Sequence, residues 1–355
     1  MKKKVLILYP FADDPQSVIL CEELVKLGLK VIYLPFRSDD ENWCDKGLYI
    51  DSDTIYYLGN DITDVKAVFI RALAFSVPSN QPAYLSRTEQ AVWHAKYLQE
   101  NIRFSSLFSM LEIFRQRGAI IVNHPYAYFQ HNTKAQFFSS LFYQGCSVPE
   151  LISTNDTDIA REFCRKGPCV CKSSYGIGAT RTVKSESLAD GCGLDKTPAI
   201  FQKQVKGDTI RVHTVGTKVV LSLKILSEGI DSRTNTAGFE VFSLPERLQD
   251  EIRRINMKYE SYYSAWDAIV ENENECYLLD FNPGPYIGWI GSYFTRYVMS
   301  ALALFISLHS EGVSVESTSA ALTLPELRFN KVAVDHSGLR HDYVDLYKRG
   351  LRIRL

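Results

Sequence analysis

The segment KVLILY at 4–9 is apolar without a break through Val5, Leu6, Ile7 and Leu8, and Pro10, Asp13 and Asp14 end the run. A short unbroken apolar run closed by turn residues reads as a strand covered on both faces. Between 17 and 29 the period changes: Val18, Leu20, Leu24, Val25 and Leu27 can line one helix face, and KVIYLPF then returns to a strand pattern. This β-α-β unit predicts a parallel sheet, because parallel neighbours need such a crossover. Residues 40–60 are polar and acidic, VKAVFIRAL at 65–73 adds a strand, 88–117 reads as a long helix, and GAIIVNHP adds another strand. Asn132 is placed to cap the helix KAQFFSSLFYQG, which Gly145 closes.

Past Cys146 the texture changes to VPELISTND, a short helix, the apolar strand CVCK, a glycine-rich turn, and several strands separated by short turns. Antiparallel hairpins with a few helices fit this pattern better than a second doubly wound sheet. The predicted division is an α/β domain at 1–125, a central subdomain at 126–200, a second α+β subdomain at 201–311 and a C-terminal extension at 312–355. A chain of 355 residues, 46% hydrophobic and 23% charged, is long enough for two or three packed subdomains.

Forty basic residues against forty-one acidic ones, with no long run of either sign, exclude a nucleic-acid or membrane-surface footprint. The N-terminal apolar stretch is too short for a signal peptide, and the longest apolar run, 297–308, falls short of the roughly 20 residues a membrane-spanning helix needs. A cytoplasmic protein is expected. The eight cysteines lack the paired C-x-x-C spacing of a zinc ribbon and are read as small buried hydrophobes.

Several segments carry candidate chemistry. In PCVCKSSYGIGATRTV a strand ends in Lys172 and enters a loop with Gly176 and Gly178, where backbone N–H groups can approach phosphate; the alternative is a structural hairpin turn. The strand IFQKQV is followed by Gly207, Asp208 and, on a new strand, Arg211. The first strand can offer backbone groups to an adenine and the charged pair can reach ribose or phosphate, against the plainer reading of a surface hairpin. In SAWDAIVENENECYLLDFNPGP, Asp280 and Asn282 are two apart on a strand and so share a face, with Asp267 across the hairpin. Three converging oxygen ligands suit Mg²⁺, and an aspartate in the apolar YLLDF is costly without a cation or donor. Lys224, Arg233 and Asn235 lie between these segments, either as groups that offset charge on a γ-phosphate or as parts of a solvated loop.

In their order these segments resemble the ATP-grasp superfamily, in the branch of the ribosomal-protein glutamate ligase and of the ligases that macrocyclise microviridin-like peptides, the graspetides. The resemblance covers most of residues 1–295 and includes the ADD near Asp13, VKAVFIRAL in place of a V-W-x-R-R-like strand, and VPELISTND. It implies an α/β N-terminal subdomain followed by α+β ATP-grasp subdomains, with ATP held between two antiparallel sheets. It also implies that Lys134 and Lys172 contact the nucleotide phosphates and that Gln202, Lys203, Gln204 and Val205 form the adenine hinge. GDTIRVHTVG matches the family pattern G-x-D-I-R-V-x-V-x-G loosely, which puts Asp208 near the ribose and Arg211 near the reacting phosphate. Arg233 and Asn235 match its R-x-N motif, and Asp267, Asp280 and Asn282 match its Mg²⁺ ligands.

Three departures stand out: Asp280 where the family usually has Glu, Lys203 where an acid is common, and the extension 312–355 with its charged close RHDYVDLYKRGLRIRL. The implied activity is an ADP-forming ligase that activates a carboxylate as an acyl-phosphate for attack by an amine or hydroxyl, on a peptide or amino-acid substrate. A ligase of small amino acids or dipeptides and a non-catalytic ATP-binding module are the rivals, and a homodimer is left open. His124 and His213 are read as structural histidines, with His213 kept as a base toward the nucleophile. The strand pair HTVGTKVVLSLKIL is a candidate wall for peptide docking by strand addition.

Overall fold

KVLILY forms an inner strand of a four-stranded parallel sheet, and its Val5, Leu6, Ile7 and Leu8 are fully buried. The computed structural model describes residues 2–10, 13–36, 47–71, 86–173, 181–183, 197–227, 236–327 and 331–333. It separates into one unit of Met1–Pro125 with Ile306–Ser314 and another of Tyr126–Phe305 with the remainder. No described helix is long and apolar enough to cross a membrane.

In the first unit, β1 (Lys4–Tyr9), α1 (Pro15–Lys26) and β2 (Lys30–Pro35) make the β-α-β unit, and β6 (Val65–Ile70) and β7 (Ile120–Val122) complete the sheet in the order β2-β1-β6-β7. Asp14 caps α1 by accepting from Ser17 N–H at 2.8 Å, with Pro15 at the first helical position, where its fixed φ fits and its missing N–H costs nothing. Residues 48–61, read only as polar, hold a small antiparallel sheet of β3 (Leu48–Ile50), β4 (Ile55–Tyr57) and β5 (Asn60–Asp61). Arg71, just past β6 (Val65–Ile70), lies 3.2 Å from Asp14, so the two acid- and arginine-bearing motifs meet as a buried ion pair. A thirty-residue helix, α2 (Arg87–Gln116), begins at a capping box of Ser86 and Glu89 and leads to β7 (Ile120–Val122).

The second unit holds two antiparallel sheets. After α3 (Pro125–Asn132) and α4 (Lys134–Tyr143), the smaller sheet contains β8 (Leu151–Thr154), β9 (Cys169–Ser173), β10 (Arg181–Val183) and β11 (Ala199–Lys203), in the order β10-β9-β11-β8. The helix α5 (Thr157–Arg165) buries Ala160, Phe163 and Cys164 against Cys169 and Phe201. The described cysteines Cys21, Cys146, Cys164, Cys169, Cys171 and Cys276 are free thiols. Asn132 ends α3 and does not cap α4; Thr133 stands at that position and makes no side-chain cap bond.

The larger sheet runs β16-β15-β12-β13-β14-β17, from β12 (Asp208–Val215), β13 (Lys218–Ser227), β14 (Thr236–Val241), β15 (Tyr263–Val270), β16 (Cys276–Asn282) and β17 (Lys331–Ala333). Ile210, Val212, Trp266, Ala268, Leu278 and Phe281 on one face pack with Leu248, Ile252 and Ile255 of α6 (Glu246–Lys258) and with Phe137 and Phe138 of α4. Beyond β16 come a short 3₁₀ turn at Gly288–Ile290, the buried helix α7 (Ser292–His309) and α8 (Val315–Ala321). Both β12 and β13 are interior strands with partners on each side, so strand addition to that pair is excluded. Part of the extension, β17, pairs with β14 instead.

Candidate active site

The site grows from strand register. Arg211 on β12 is directly opposite Asp267 on β15, and Asp267 is opposite Asp280 on β16, so three charged side chains leave the same face of the larger sheet in one row. His213, Ala265 and Asn282 form the next row on that face. Two carboxylates facing each other across strands repel, and the row is stable because cations flank it. Arg211 Nη1 donates to Asp267 Oδ1 at 2.6 Å, and Lys134 Nζ reaches both oxygens of Asp280 at 2.7 Å. Lys134 comes from the first turn of α4, which packs Phe137 against Trp266 and Phe281 and so delivers the lysine beside the outer strand β16.

Lys172 enters from the smaller sheet. Its Nζ donates to Leu279 O at 2.7 Å and to Gln202 Oε1 at 3.0 Å, and it lies 5.2 Å from the Phe138 ring centre. The Leu279 carbonyl is available because the register shifts there: Asp267 pairs with Asp280 and Ala268 with Leu278, which leaves Leu279 as a bulge. Burial pulls the Lys172 ammonium down to about 8, with Asp280 acting in the opposite sense. For Asp280, burial raises the carboxyl, but the charges of Lys134 and Lys172 outweigh it and hold the group well below the usual carboxylate range. The result is an anionic carboxylate between two ammonium groups.

Sequence reasoning missed two contributors. His131, three residues before Lys134, donates from Nδ1 to Phe281 O at 2.6 Å and thereby ties α3 to the strand segment between Asp280 and Asn282. Trp289 lies under the Arg211 guanidinium, 5.8 Å from its ring centre. A helical offset of three from Lys134 was the only signal for His131, and none pointed to Trp289. His213 is fully buried; burial first, and Arg211 next, push its imidazole well below its ordinary value, so it is neutral.

The hinge residues divide. Gln202 is buried and holds Lys172, while the Lys203 side chain turns away to donate to Phe163 O at 2.7 Å over the Phe163 ring. The backbone N–H groups of Lys203 and Gln204 already donate to Glu150 O and Pro168 O, and Val205 follows them. Asn282 Oδ1 accepts from Gly284 N–H at 3.0 Å.

Asp208 and Lys224 stand elsewhere. Lys224 is opposite Ile210, one step off the Arg211 row, and its Nζ bonds Asp208 Oδ2 at 2.6 Å. Asp208 and Ile210 are two apart, so both leave the sheet on the face packed by α6, opposite to Arg211. The family pattern sets its acid two residues before the arginine, whereas Asp208 is three before it; Thr209 takes the matching parity. Asp208→Asn and Lys224→Met are therefore expected to change turnover less than about threefold, the cost of an exposed ion pair. A drop beyond about thirtyfold in either would return these residues to the reacting face. Gly176, Gly178, Arg233 and Asn235 lie outside the described residues.

No family model and no curated protein matches the chain. Solved structures do. The ATP-grasp ligase PsnB, complexed with a phosphomimetic variant of its minimal precursor, Mg and ADP, superposes with a TM-score of 0.71 at 21% identity, over 87% of this chain and 99% of that one. This chain has the ATP-grasp fold. Two further solved structures are similar. The RiPP-associated ligase of Chryseobacterium gregarium, in complex with ADP and a leader and core peptide, gives a TM-score of 0.66 at 19% identity over 91% of this chain and 100% of that one. The macrocyclase MdnC of Microcystis aeruginosa, bound with precursor peptide MdnA, gives 0.67 at 17% over 87% and 100%. In this ATP-grasp chain Asp267, Asp280 and Asn282 present two carboxylates and an amide oxygen on one face in adjacent rows, hard oxygen donors of the kind Mg²⁺ takes, each already engaged within the chain by Arg211, Lys134 and the Gly284 N–H.

Proposed function

We propose that this protein is an ADP-forming ligase that activates a carboxylate with Mg-ATP and modifies or macrocyclises a ribosomal peptide. The observation that carries the proposal is the Arg211–Asp267–Asp280 row with Lys134 and Lys172 converging on it from two other elements. Its neighbours in fold, with the peptides and nucleotides named for them, support the substrate class.

In this reading ATP lies between the two antiparallel sheets of the second unit, with the backbone near Val205 at the adenine. Lys134 and Lys172 give up Asp280 and Leu279 O to the phosphates, and Arg211 offsets charge on the transferring phosphoryl group. Mg²⁺, when bound by Asp267, Asp280 and Asn282, supplies further positive charge to the phosphate oxygens. A substrate carboxylate oxygen attacks the γ-phosphorus and ADP leaves. An amine or hydroxyl then attacks the acyl-phosphate carbon, loses its proton and expels inorganic phosphate. Glycine-loop contacts from Gly176 and Gly178 and the R-x-N pair Arg233 and Asn235 rest on the family resemblance alone.

The test is the intact mass of a candidate precursor peptide, encoded beside the gene, after incubation with the protein and Mg-ATP. Loss of one or more waters, absent with Lys172→Met, is the expected result. An unchanged peptide with ADP released only on addition of free amino acids would replace the peptide with a small-substrate ligation. No ADP release under any substrate mixture would leave a binding module.

A further inference from the structure

His213 is fully buried, and among the described residues neither of its ring nitrogens has a hydrogen-bond partner in the protein. A buried polar group left unbonded costs about 1–3 kcal/mol, a cost that an apolar side chain at the same position would not carry. Strand register limits which groups can answer the imidazole. Four positions border His213 on its face of the larger sheet: Leu221 on β13, Ala265 on β15, and Arg211 and Val215 along β12. Of these only Arg211 carries a hydrogen-bonding side chain. Burial first, and Arg211 next, keep the imidazole neutral, so one of its nitrogens is an acceptor, whereas a guanidinium has only donors. The two side chains are therefore complementary, two residues apart on one face. They are not bonded to each other, and Arg211 Nη1 is instead drawn across to Asp267 Oδ1 at 2.6 Å.

We propose that His213 is a second partner for Arg211: when Asp267 turns to Mg²⁺, the Nη1–H passes from that carboxylate to the imidazole, which keeps the guanidinium aimed at the transferring phosphoryl group. The inference rests on the proposed function, in which Asp267 is a metal ligand and Arg211 offsets charge on that group. Like charges repel, so a divalent cation on Asp267 weakens the hold of the same carboxylate on the guanidinium. The imidazole accepts the N–H without adding charge of either sign. It also stays clear of the metal, because the side chain across from it on β15 is only the methyl of Ala265. Being fully buried, His213 acts through Arg211 and is a positioning residue.

His213→Leu removes the acceptor and His213→Gln keeps one. Without nucleotide, His213→Leu should melt no lower than wild type, since an unbonded polar group gives way to an apolar one. ATP should bind it within about threefold of wild type, while turnover falls about tenfold to a hundredfold, the scale for a reacting group displaced by about 1 Å. His213→Gln should recover most of that loss. The transfer itself is read without turnover, from ¹⁵N NMR of the histidine rings. The acceptor nitrogen of His213 should register a new hydrogen bond when Mg-ATP is added to the wild type. It should register the same bond in nucleotide-free Asp267→Ala, where Arg211 has lost its first partner. Full turnover in His213→Leu, or a His213 ring signal unmoved by Mg-ATP or by Asp267→Ala, would overturn the proposal. Absence of ADP release by the wild type itself would overturn the proposed function first, and this inference with it.

Discussion

Asp280→Ala should lower turnover by about a thousandfold or more and remove the effect of Mg²⁺ on nucleotide binding. The carboxylate holds three charges at once: it faces Asp267 across the strand pair, is bonded by Lys134, and lies beside Lys172. Its loss takes a hard oxygen ligand from the proposed Mg²⁺ set and leaves two ammonium groups without their counter-ion. Lys134 is only 5% exposed, so it cannot recover its solvation in water. Breaking a buried pair costs about 3–5 kcal/mol; with a third of the Asp280 side chain exposed, about 1–2 kcal/mol is expected for the free protein.

The signature that separates ligand loss from simple destabilisation is the ATP-induced shift in melting temperature. In the wild type that shift should grow with Mg²⁺. In Asp280→Ala, ATP alone should still stabilise, since the proposed phosphate ligands Lys134 and Lys172 remain, but Mg²⁺ should add nothing. Asp280→Glu, which restores the residue usual in the family, should keep both turnover and the Mg²⁺ response. Full turnover in the alanine variant would remove Asp280 from the metal site.

How much of this was legible before the structure depends on the range of the interaction that decides each feature. The unit β1-α1-β2 followed from a change of period within about thirty residues, and the pair β15–β16 from alternation around two acids. The sheet β3–β4–β5 escaped because its strands are only two or three residues long and carry little apolar pattern. Asp208 was drawn to the ribose by similarity of letters, but a single residue of offset reverses the face on a period-two strand. The Lys134–Asp280 pair spans 146 positions, and the bulge that frees Leu279 O for Lys172 has no sequence signature; both exist only once α4 and β9 have packed. His131 belongs with these, since its partner is a backbone carbonyl, which every residue has.

Arg211→Lys tests the centre of the row with the charge kept. The guanidinium spends Nη1 on Asp267, lies over Trp289, and has no partner in the protein for its buried Nε among the described residues. An uncompensated buried donor costs about 1–3 kcal/mol, and under the proposed function Nε is the donor an acceptor on the substrate would satisfy. Lysine can keep the Asp267 contact, but it has neither the second direction of donation nor the flat face that matches Trp289. Folding should therefore be little changed, and ATP should bind within about threefold, because the proposed phosphate ligands Lys134 and Lys172 are untouched. Turnover should fall by about 10²–10³, the usual loss for one preorganised donor aimed at developing charge. Parallel measurement of ADP release and of the ATP-induced melting shift separates the two quantities. A loss that appears in the melting shift rather than in turnover would place Arg211 on the bound nucleotide and leave the transferring phosphoryl group to the lysines.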